Sequence, residues 1–305
     1  MPHTERPLLA LALRLAGIAL IATLYMLVKV AGETGIALPE IMFWRQALSL
    51  PLILAALAAM GELGQLKTGR LATHALRSTL GMLGMLCTFG AAVLLPLAEA
   101  TTLSFTTPLF AVILGAFVLR ERIGPWRWAA VAIGFAGVLV VAQPGHAPID
   151  PLGAAAGLGA GLIVAVVAFQ IHDLGRTDAP SAVVFYFALF GALIMLPLLP
   201  FTMTAHTPLQ WLILAAMGTV GTLGQLLLTA ALKHGAVASV IVMDYTALIW
   251  ATLFGWTLWD QLPTLATWLG APLIVAAGLI VIWRERLHAR RPDTPLTPTA
   301  ALEVD

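Results

Sequence analysis

Residues 95–122 read LPLAEATTLSFTTPLFAVILGAFVLRER, and this stretch decides the fold class. Glu99 stands at the start of about twenty uncharged residues, which is long enough for a helix to cross a hydrocarbon core of about 30 Å. An ionisable side chain within such a helix is costly unless it faces protein or water, so Glu99 is a candidate substrate-binding or coupling residue. Thr102 and Thr106 lie on the same predicted helix face and extend it into a polar stripe. The alternative is that Glu99 lies in the headgroup zone near the helix end, where it caps the helix or extends its charge to the interface and contacts no substrate.

The composition excludes an ordinary soluble domain. The 305 residues are 60% hydrophobic and only 10% charged, whereas soluble domains are about 25% charged. The mean hydropathy is +0.95. A net charge of +1 gives no indication of nucleic-acid binding. The sequence therefore predicts a protein with several membrane spans, and the lipid bilayer is its first expected partner.

No metal site or cofactor is expected. None of the seven histidines pairs with another at the spacing of a metal-binding helix. The single cysteine, Cys87, lies in an apolar run, so the chain has neither a disulfide framework nor a thiolate site.

Ten apolar runs have the length of membrane spans, and they predict an all-α membrane protein with ten transmembrane helices. The predicted spans are 8–30, 40–60, 75–95, 97–119, 126–142, 152–171, 181–201, 208–232, 236–259 and 264–283. Residues 289–305 form a Pro/Thr-rich tail that we expect to be disordered.

Basic residues define the expected orientation. With ten spans and the N-terminus inside, both termini and the loops after the second, fourth, sixth and eighth spans lie in the cytoplasm. All but three of the 16 Lys and Arg residues fall at these cytoplasmic ends. Because cytoplasmic loops are enriched in Lys and Arg, this pattern predicts a multi-pass inner (plasma) membrane protein with both termini cytoplasmic.

The three exceptions are Arg14, Lys29 and Arg45, which lie in the first two spans. Lys29, Glu40, Arg45 and Glu99 all fall in the outer half of their spans, so they form one cluster if those helices are neighbours. Such a cluster either neutralises itself in ion pairs or binds the carboxylate and amine of a zwitterionic solute. Arg14 is close enough to the cytoplasmic edge to extend its charge to the interface.

The ninth predicted span contains a second acid, Asp244, about eight residues from its start. A carboxylate at this depth either pairs with a basic or hydrogen-bonding partner or stays protonated, and both states suit cation binding or proton coupling. The alternative is that Asp244 is a buried acid that forms a hydrogen bond to a neighbouring helix and only stabilises helix packing. Tyr245 and Trp250 are expected to form an aromatic wall beside it.

Two halves of the chain follow one pattern. Aligning Glu121 with Asp260 also aligns Thr107 with Thr246. Each half has five spans, and because five is odd the second half must cross the membrane in the opposite direction. Inverted repeats of this kind place a substrate site near the bilayer midplane and allow alternating access. The repeats are predicted to cover residues 1–145 and 146–288.

Small residues and one proline predict how the helices pack. Gly153, Gly157 and Gly161 recur every four residues, which lets a neighbouring helix approach closely in lipid. Pro108 frees a backbone carbonyl within the fourth span and is expected to kink it.

Several segments resemble the EamA branch of the drug/metabolite transporter superfamily. They are PLAEATTLSFTTPLF (96–110), LRERIGPWRWAAVAIGFAGVLVV (119–141) and DYTALIWATLFGWTLWDQLPTLATWLGAPLIVAAGLIVIWRER (244–286). The resemblance covers almost the whole chain, and EIMFWRQ (40–46) and DYTALIW (244–250) are similar to members that take up S-adenosylmethionine or export amino acids and related metabolites. It implies a ten-helix inverted-repeat carrier whose central cavity is formed largely by the third and fourth helices of each half. The acid after the ninth helix is usually Glu in this family and is Asp260 here.

The sequence thus predicts a secondary transporter of a small polar or zwitterionic metabolite, such as S-adenosylmethionine or an amino acid, with Arg45, Glu99 and Asp244 as polar contacts. The alternative is proton-coupled efflux of lipophilic cations, and a remote one is a membrane-embedded enzyme. We predict no enzyme, because no catalytic constellation lies at a membrane face. The expected partners are the bilayer, a small-molecule substrate and, in the alternative, protons. A monomer or weak homo-oligomer is expected.

Overall fold

A computed structural model describes residues 7–117, 120, 123–142, 149–234 and 242–289, and every regular element within these ranges is helical. The α-helices are α1 (Pro7–Glu33), α2 (Leu38–Ala59), α3 (Leu71–Leu94), α4 (Leu97–Ser104), α5 (Thr107–Phe117), α6 (Pro125–Ala142), α7 (Pro151–Leu174), α8 (Pro180–Met195), α9 (Leu199–Thr202), α10 (Pro208–His234), α11 (Ala247–Trp259) and α12 (Leu265–Ala289). Short 3₁₀ helices occupy Leu63–Leu66, Leu196–Leu198 and Val242–Thr246. The predicted all-α membrane fold is confirmed.

Nine segments within the described ranges are long and apolar enough to cross a membrane, and they correspond to nine of the ten predicted spans. The remaining span, 236–259, is described only from Val242 onward, and its first residues lie outside the described ranges. The last helix, α12, runs to Ala289 instead of ending at 283, because its charged end WRERLHA contains no Gly or Pro to stop it. The boundary predicted at 145 and the tail beyond Ala289 also lie outside the described residues.

Large apolar side chains face outward from the bundle. Phe117, Phe201, Ile249 and Trp268 are all mostly exposed. Soluble monomers rarely expose such extensive apolar surface, whereas lipid tails are as apolar as these side chains. The exposed surface therefore suits a bilayer.

The fourth span is divided into two helices. α4 ends at Ser104 and α5 begins at Thr107, with Phe105 and Thr106 in a turn between them. Pro108 has no N–H to donate to the Ser104 carbonyl, and Thr107 Oγ1 donates to that carbonyl instead at 2.9 Å. The kink predicted at Pro108 is confirmed, and the chain itself satisfies the freed carbonyl.

The most extensive helix contacts join the first half of the chain to the second. α1 packs along α10, α6 along α12, α3 along α7, and α2 along α8, while α4 packs against α11. Leu24, Met42, Phe89 and Met217 belong to one buried apolar cluster among α1, α2, α3 and α10. The two halves therefore form one bundle, and its cavities lie between helices of both.

The glycine stripe of α7 holds the broken fourth span in place. A Cβ on Gly157 would lie 2.9 Å from Leu103, and a Cβ on Gly161 would lie 2.3 Å from Thr106 Oγ1. Neither α4 nor the turn after it could approach α7 so closely if these positions carried side chains. The predicted packing role of this stripe is confirmed.

Candidate functional site

A cavity of about 440 Å³, which we call the main cavity, lies among α1, α3, α4, α5, α7, α10, α11, α12 and the 3₁₀ helix Val242–Thr246. Among the described residues, Arg14 and Asp244 are the charged ones that line it. Most of the other lining side chains are apolar, and hydroxyl groups such as those of Thr101 and Ser104 are interspersed. A concave, largely apolar space with a few polar groups is the usual form of a small-molecule site.

Arg14 and Asp244 form a bidentate ion pair in the wall of the main cavity. Arg14 Nε donates to Asp244 Oδ1 at 2.7 Å, and Arg14 Nη2 donates to Oδ2 at 2.5 Å. The Arg14 side chain is 10% exposed, whereas that of Asp244 is 40% exposed. The carboxylate is thus paired, as one of the two sequence-based alternatives predicted, and still accessible from the cavity.

Tyr245 also lines the main cavity, and its hydroxyl group is buried without a hydrogen-bond partner among the described residues. Its ring packs edge to face on Phe105, with 5.0 Å between the centroids. The hydroxyl fits against α12 only because residue 278 is glycine, since a Cβ there would lie 1.9 Å from Tyr245 Oη. The sequence placed Tyr245 at the site, and the structure adds Gly278 as the residue that makes room for it.

Glu99 is fully buried in the first turn of α4 and does not line the main cavity. Its Oε1 accepts hydrogen bonds from the Thr267 hydroxyl at 3.0 Å and from the Thr264 backbone N–H at 3.3 Å. Because these groups form the start of α12, the carboxylate lies at the positive end of a helix dipole. These contacts favour the alternative reading of Glu99 as a helix-capping residue, and a substrate contact by Glu99 stays a prediction.

Replacing Glu99 by Gln separates these two roles. We expect E99Q to retain at least about half of the wild-type transport rate and to lower the free energy of unfolding by about 0.5–2 kcal/mol, because a charge at a helix N-terminus is lost. The rate is measured as substrate flux in proteoliposomes, and the stability as thermal unfolding in detergent. Flux at background with unchanged stability would instead make Glu99 a substrate or coupling residue.

Of the outer cluster predicted from Lys29, Glu40, Arg45 and Glu99, Lys29 and Glu99 lie close enough for their charges to interact, whereas Glu40 and Arg45 contact other residues. Glu40 is fully buried and accepts a hydrogen bond from His206, a partner that the sequence analysis did not identify. Lys29 donates to the Leu95 carbonyl at 2.7 Å. The prediction assumed that the first two helices are close neighbours, whereas α1 packs mainly along α10, and α2 packs along α8 and α10.

The remaining predicted site residues do not line the main cavity. Thr102 and Thr106 are fully buried, and their hydroxyls donate to the backbone carbonyls of Ala98 and Leu103, both at 2.7 Å. Trp250 packs against Phe254, with ring centroids 6.2 Å apart. Arg45 lines a separate, smaller pocket.

Arg14 is the site residue that the sequence analysis underrated. Its charge was expected to reach the membrane interface, yet the residue is only 8% exposed and pairs with Asp244. A usable signal was present, because an acid deep within a span needs a compensating base and few basic residues lie within spans.

Comparison with known proteins decides the family. The sequence model of the EamA-like transporter family matches residues 8–143 and again residues 151–283. The chain belongs to this family. The resemblance to EamA members of the drug/metabolite transporter superfamily is thereby confirmed.

Three relatives of this EamA protein show the range of the group. The pseudopaline exporter of Pseudomonas aeruginosa is 30% identical over 253 residues, which cover 82% of this chain and 88% of the relative. The riboflavin transporter of Vibrio cholerae is 28% identical over 266 residues, with 85% and 87% covered. The S-adenosylmethionine uptake transporter of Rickettsia prowazekii is 26% identical over 252 residues, with 81% and 83% covered. The EamA protein is therefore similar to transporters of small metabolites.

A solved crystal structure supports the fold. It matches 91% of this EamA chain and 98% of its own chain with a TM-score of 0.59 and 22% sequence identity. At this identity the comparison shows a shared fold, so the function must be argued from the site.

Proposed function

We propose that this protein is a secondary transporter that moves a small polar or zwitterionic metabolite across the inner membrane by alternating access. The observation that carries the proposal is the Arg14–Asp244 ion pair in the wall of the main cavity. A zwitterion can exchange with such a pair, because its amine suits Asp244 and its carboxylate suits Arg14. Tyr245 lines the same cavity and is the third residue that we assign to the substrate.

The size and lining of the cavity support a metabolite as substrate. About 440 Å³ lies within the range of about 300–1,000 Å³ that is usual for small-molecule sites. The relatives transport pseudopaline, riboflavin and S-adenosylmethionine, which are small metabolites with both polar and apolar parts. A largely apolar wall with one ion pair suits a substrate of that mixed character.

Two features support an inverted repeat and alternating access. The alignment of Glu121 with Asp260 makes the fifth and tenth spans equivalent in the two repeats. The first span is then equivalent to the sixth, and the third to the eighth. The contact of the first span with the eighth then mirrors that of the sixth with the third, and both contacts are observed as α1 with α10 and α7 with α3. The alignment of Glu121 with Asp260 also carries the turn at Phe105 and Thr106 onto Asp244 and Tyr245, where the fourth span of the second half is likewise irregular. Discontinuous helices at corresponding positions are typical of substrate sites between transporter repeats.

The predicted orientation is part of this proposal. Arg70 pairs with Asp173, and His74 contacts Asp178, so the ends of α3 and α7 that were predicted to be cytoplasmic lie together. Glu33 accepts a hydrogen bond from Trp259 Nε1 at 2.7 Å, which brings together two ends that were predicted to be external. Both termini in the cytoplasm agree with these two sets of neighbours.

A second candidate function is proton-coupled efflux of lipophilic cations. It is favoured by the apolar lining of the main cavity and by a carboxylate that is accessible from it. In this mechanism Asp244 exchanges a proton for the cation, and the flux responds to a pH gradient.

Counterflow in proteoliposomes distinguishes the two candidates. Vesicles with purified protein and unlabelled S-adenosylmethionine inside should accumulate the labelled compound, and amino acids and a lipophilic cation serve as competitors. Accumulation that amino acids block and that a collapsed pH gradient leaves unchanged supports the zwitterion carrier. Block by the lipophilic cation together with dependence on the gradient supports efflux. Absence of accumulation in folded protein excludes S-adenosylmethionine, and the assay is then repeated with each competitor as the labelled compound.

A further inference from the structure

A second pocket of about 50 Å³ lies among α2, α3, α8 and α10, and it contains two arginines, Arg45 and Arg77. We refer to it as the Arg45–Arg77 pocket. Its remaining polar lining consists of the neutral side chains Gln46, Ser49, Thr222 and Gln225. Among the described residues, no carboxylate oxygen lies within 4.0 Å of either guanidinium group, since the four ion pairs involve other residues. The pocket therefore concentrates positive charge within the membrane-spanning bundle.

Several N–H groups in this pocket have no acceptor among the described residues. They are Nε of Arg45 and both Nε and Nη1 of Arg77. Arg77 is only 8% exposed, so water does not compensate for these groups at the protein surface. Arg45 Nη1 donates to Gln46 Oε1 at 3.0 Å and contacts Met85 Sδ, and neither atom carries a negative charge. Unpaired buried donors on charged groups are costly, and native proteins rarely leave them without a partner.

Aromatic rings compensate for part of the charge. The Arg77 guanidinium lies 4.1 Å from the centroid of the Phe187 ring, and that of Arg45 lies 5.8 Å from the Phe89 ring. A desolvated cation–π contact offsets only part of the cost of burying an ion. Two such cations in one pocket also repel each other. The remaining charge requires an anion.

The main cavity does not supply that anion. Tyr25 lines the main cavity and packs edge to face on Phe89, with centroids 6.2 Å apart, and Arg45 lies against the same Phe89 ring. Arg45 itself is not among the residues that line the main cavity, so a substrate held at Asp244 is not in contact with Arg45.

We propose that the Arg45–Arg77 pocket binds a small monovalent inorganic anion, of which chloride is the abundant representative. A water molecule needs about 10–15 Å³ of such space, so a pocket of about 50 Å³ accepts one compact anion with a little water. Glycines keep space free beside the donors, because a Cβ on Gly221 would lie 3.4 Å from Arg45 Nε and a Cβ on Gly81 would lie 3.3 Å from Arg77 Nη1. The anion accepts hydrogen bonds from the guanidinium groups of Arg45 and Arg77, which both line the pocket, and it joins α2 to α3.

Thermal unfolding of the purified full-length protein at constant ionic strength tests this site. Chloride is titrated against gluconate, an anion too large for the pocket. The unfolding temperature of the wild type should rise with chloride and reach a plateau about 5 °C higher, because a ligand that binds only the folded state stabilises it. R77Q and R45Q should each lose this increase. The matched control is R70Q, at the residue that immediately precedes the same helix. Arg70 is partly exposed and paired with Asp173, so this variant should keep the increase.

Two results would overturn the proposal. One is a wild-type unfolding temperature that is the same in chloride and gluconate, and this result needs no variant. The other is an increase of equal size in the wild type, R77Q and R45Q, which would show a general salt effect. If both arginine variants fail to fold, G221A provides the comparison, because its added methyl group narrows the pocket beside Arg45 Nε. The chloride concentration that gives half of the rise in unfolding temperature should then increase about tenfold or more. The assay uses no substrate, so its outcome is independent of the transport proposal.

Discussion

Replacing Asp244 by Asn should reduce substrate flux at least about 100-fold. Asn keeps the shape of the side chain but removes the charge, so Arg14 remains as a buried cation without its bidentate partner. The Asp244 side chain is 40% exposed, so the cost to stability is screened by solvent and stays below the about 3–5 kcal/mol of a fully buried pair. The flux falls mainly because the substrate amine loses its carboxylate partner. A loss of about 100-fold corresponds to about 2.8 kcal/mol, within the about 1.5–3 kcal/mol of a hydrogen bond to a charged group. Flux is measured by counterflow in proteoliposomes after the folded fraction has been determined by thermal unfolding in detergent.

Two further variants show whether the ion pair binds substrate or only holds the helices together. The double variant R14Q/D244N removes both charges, which is often close to neutral for stability. If the pair only stabilises packing, flux should return in the double variant. We expect stability to recover while flux stays at background, because both substrate contacts are missing. D178N is the matched control, since Asp178 is a buried acid that faces His74 outside the main cavity, and it should retain flux.

Normal flux in D244N would remove Asp244 from the mechanism. Equal losses in D244N and D178N would show a general effect of neutralising acids in this bundle.

The sequence predicted where the helices lie along the chain better than it predicted which helices pack against each other. Span positions follow from local hydropathy, and the break before Pro108 follows from the missing N–H, so both were accessible from the residues alone. Asp244 and Tyr245 were recognised because a polar group within an apolar run is unusual wherever it occurs. The partner of Asp244 is 230 residues away, and only the packing of α1 against the second half of the chain identifies Arg14.

Helix packing also explains why the partners of the outer residues Lys29 and Glu40 were not predicted. Lys29 and Glu40 both lie in the outer half of their spans and were predicted to cluster if those helices are neighbours, yet each forms its hydrogen bond with a different partner. His206 precedes α10, and no sequence period relates it to Glu40. Which helices are adjacent depends on how surfaces fit together across the whole bundle. Small residues such as Gly157 indicate that some helix packs closely there, but they do not indicate which one.

Replacing Gly278 by Ala should lower flux about 10- to 100-fold and destabilise the protein by about 1–3 kcal/mol, the usual cost of overpacking. The added Cβ would lie 1.9 Å from Tyr245 Oη, so either the tyrosine ring moves into the main cavity or α12 moves away from it. Flux in proteoliposomes and the unfolding temperature in detergent check both parts of the prediction.

A double variant tests the cause. Y245F/G278A removes the oxygen atom that collides, which leaves the added methyl group 3.2 Å from Tyr245 Cζ as the nearest contact to that side chain, so most of the lost stability should return. Y245F alone should unfold at about the wild-type temperature, because the hydroxyl has no hydrogen-bond partner to lose among the described residues. The control is G159A, where the added Cβ would meet only Cys87 Sγ at 3.5 Å, and it should leave flux and stability unchanged. A double variant as unstable as G278A would show that Tyr245 is not the source of the strain.

The Arg14–Asp244 pair also determines how this part of the protein responds to the membrane potential. One guanidinium and one carboxylate held together have no net charge, so moving them as a unit through the transmembrane field requires no electrical work. Moving a single unpaired charge across the membrane would require electrical work of about 2.3 kcal/mol for each 100 mV of potential. Under the proposed alternating access, movement of this pair therefore contributes little to the voltage dependence of transport, which would come from other charges, among them Arg45 and Arg77.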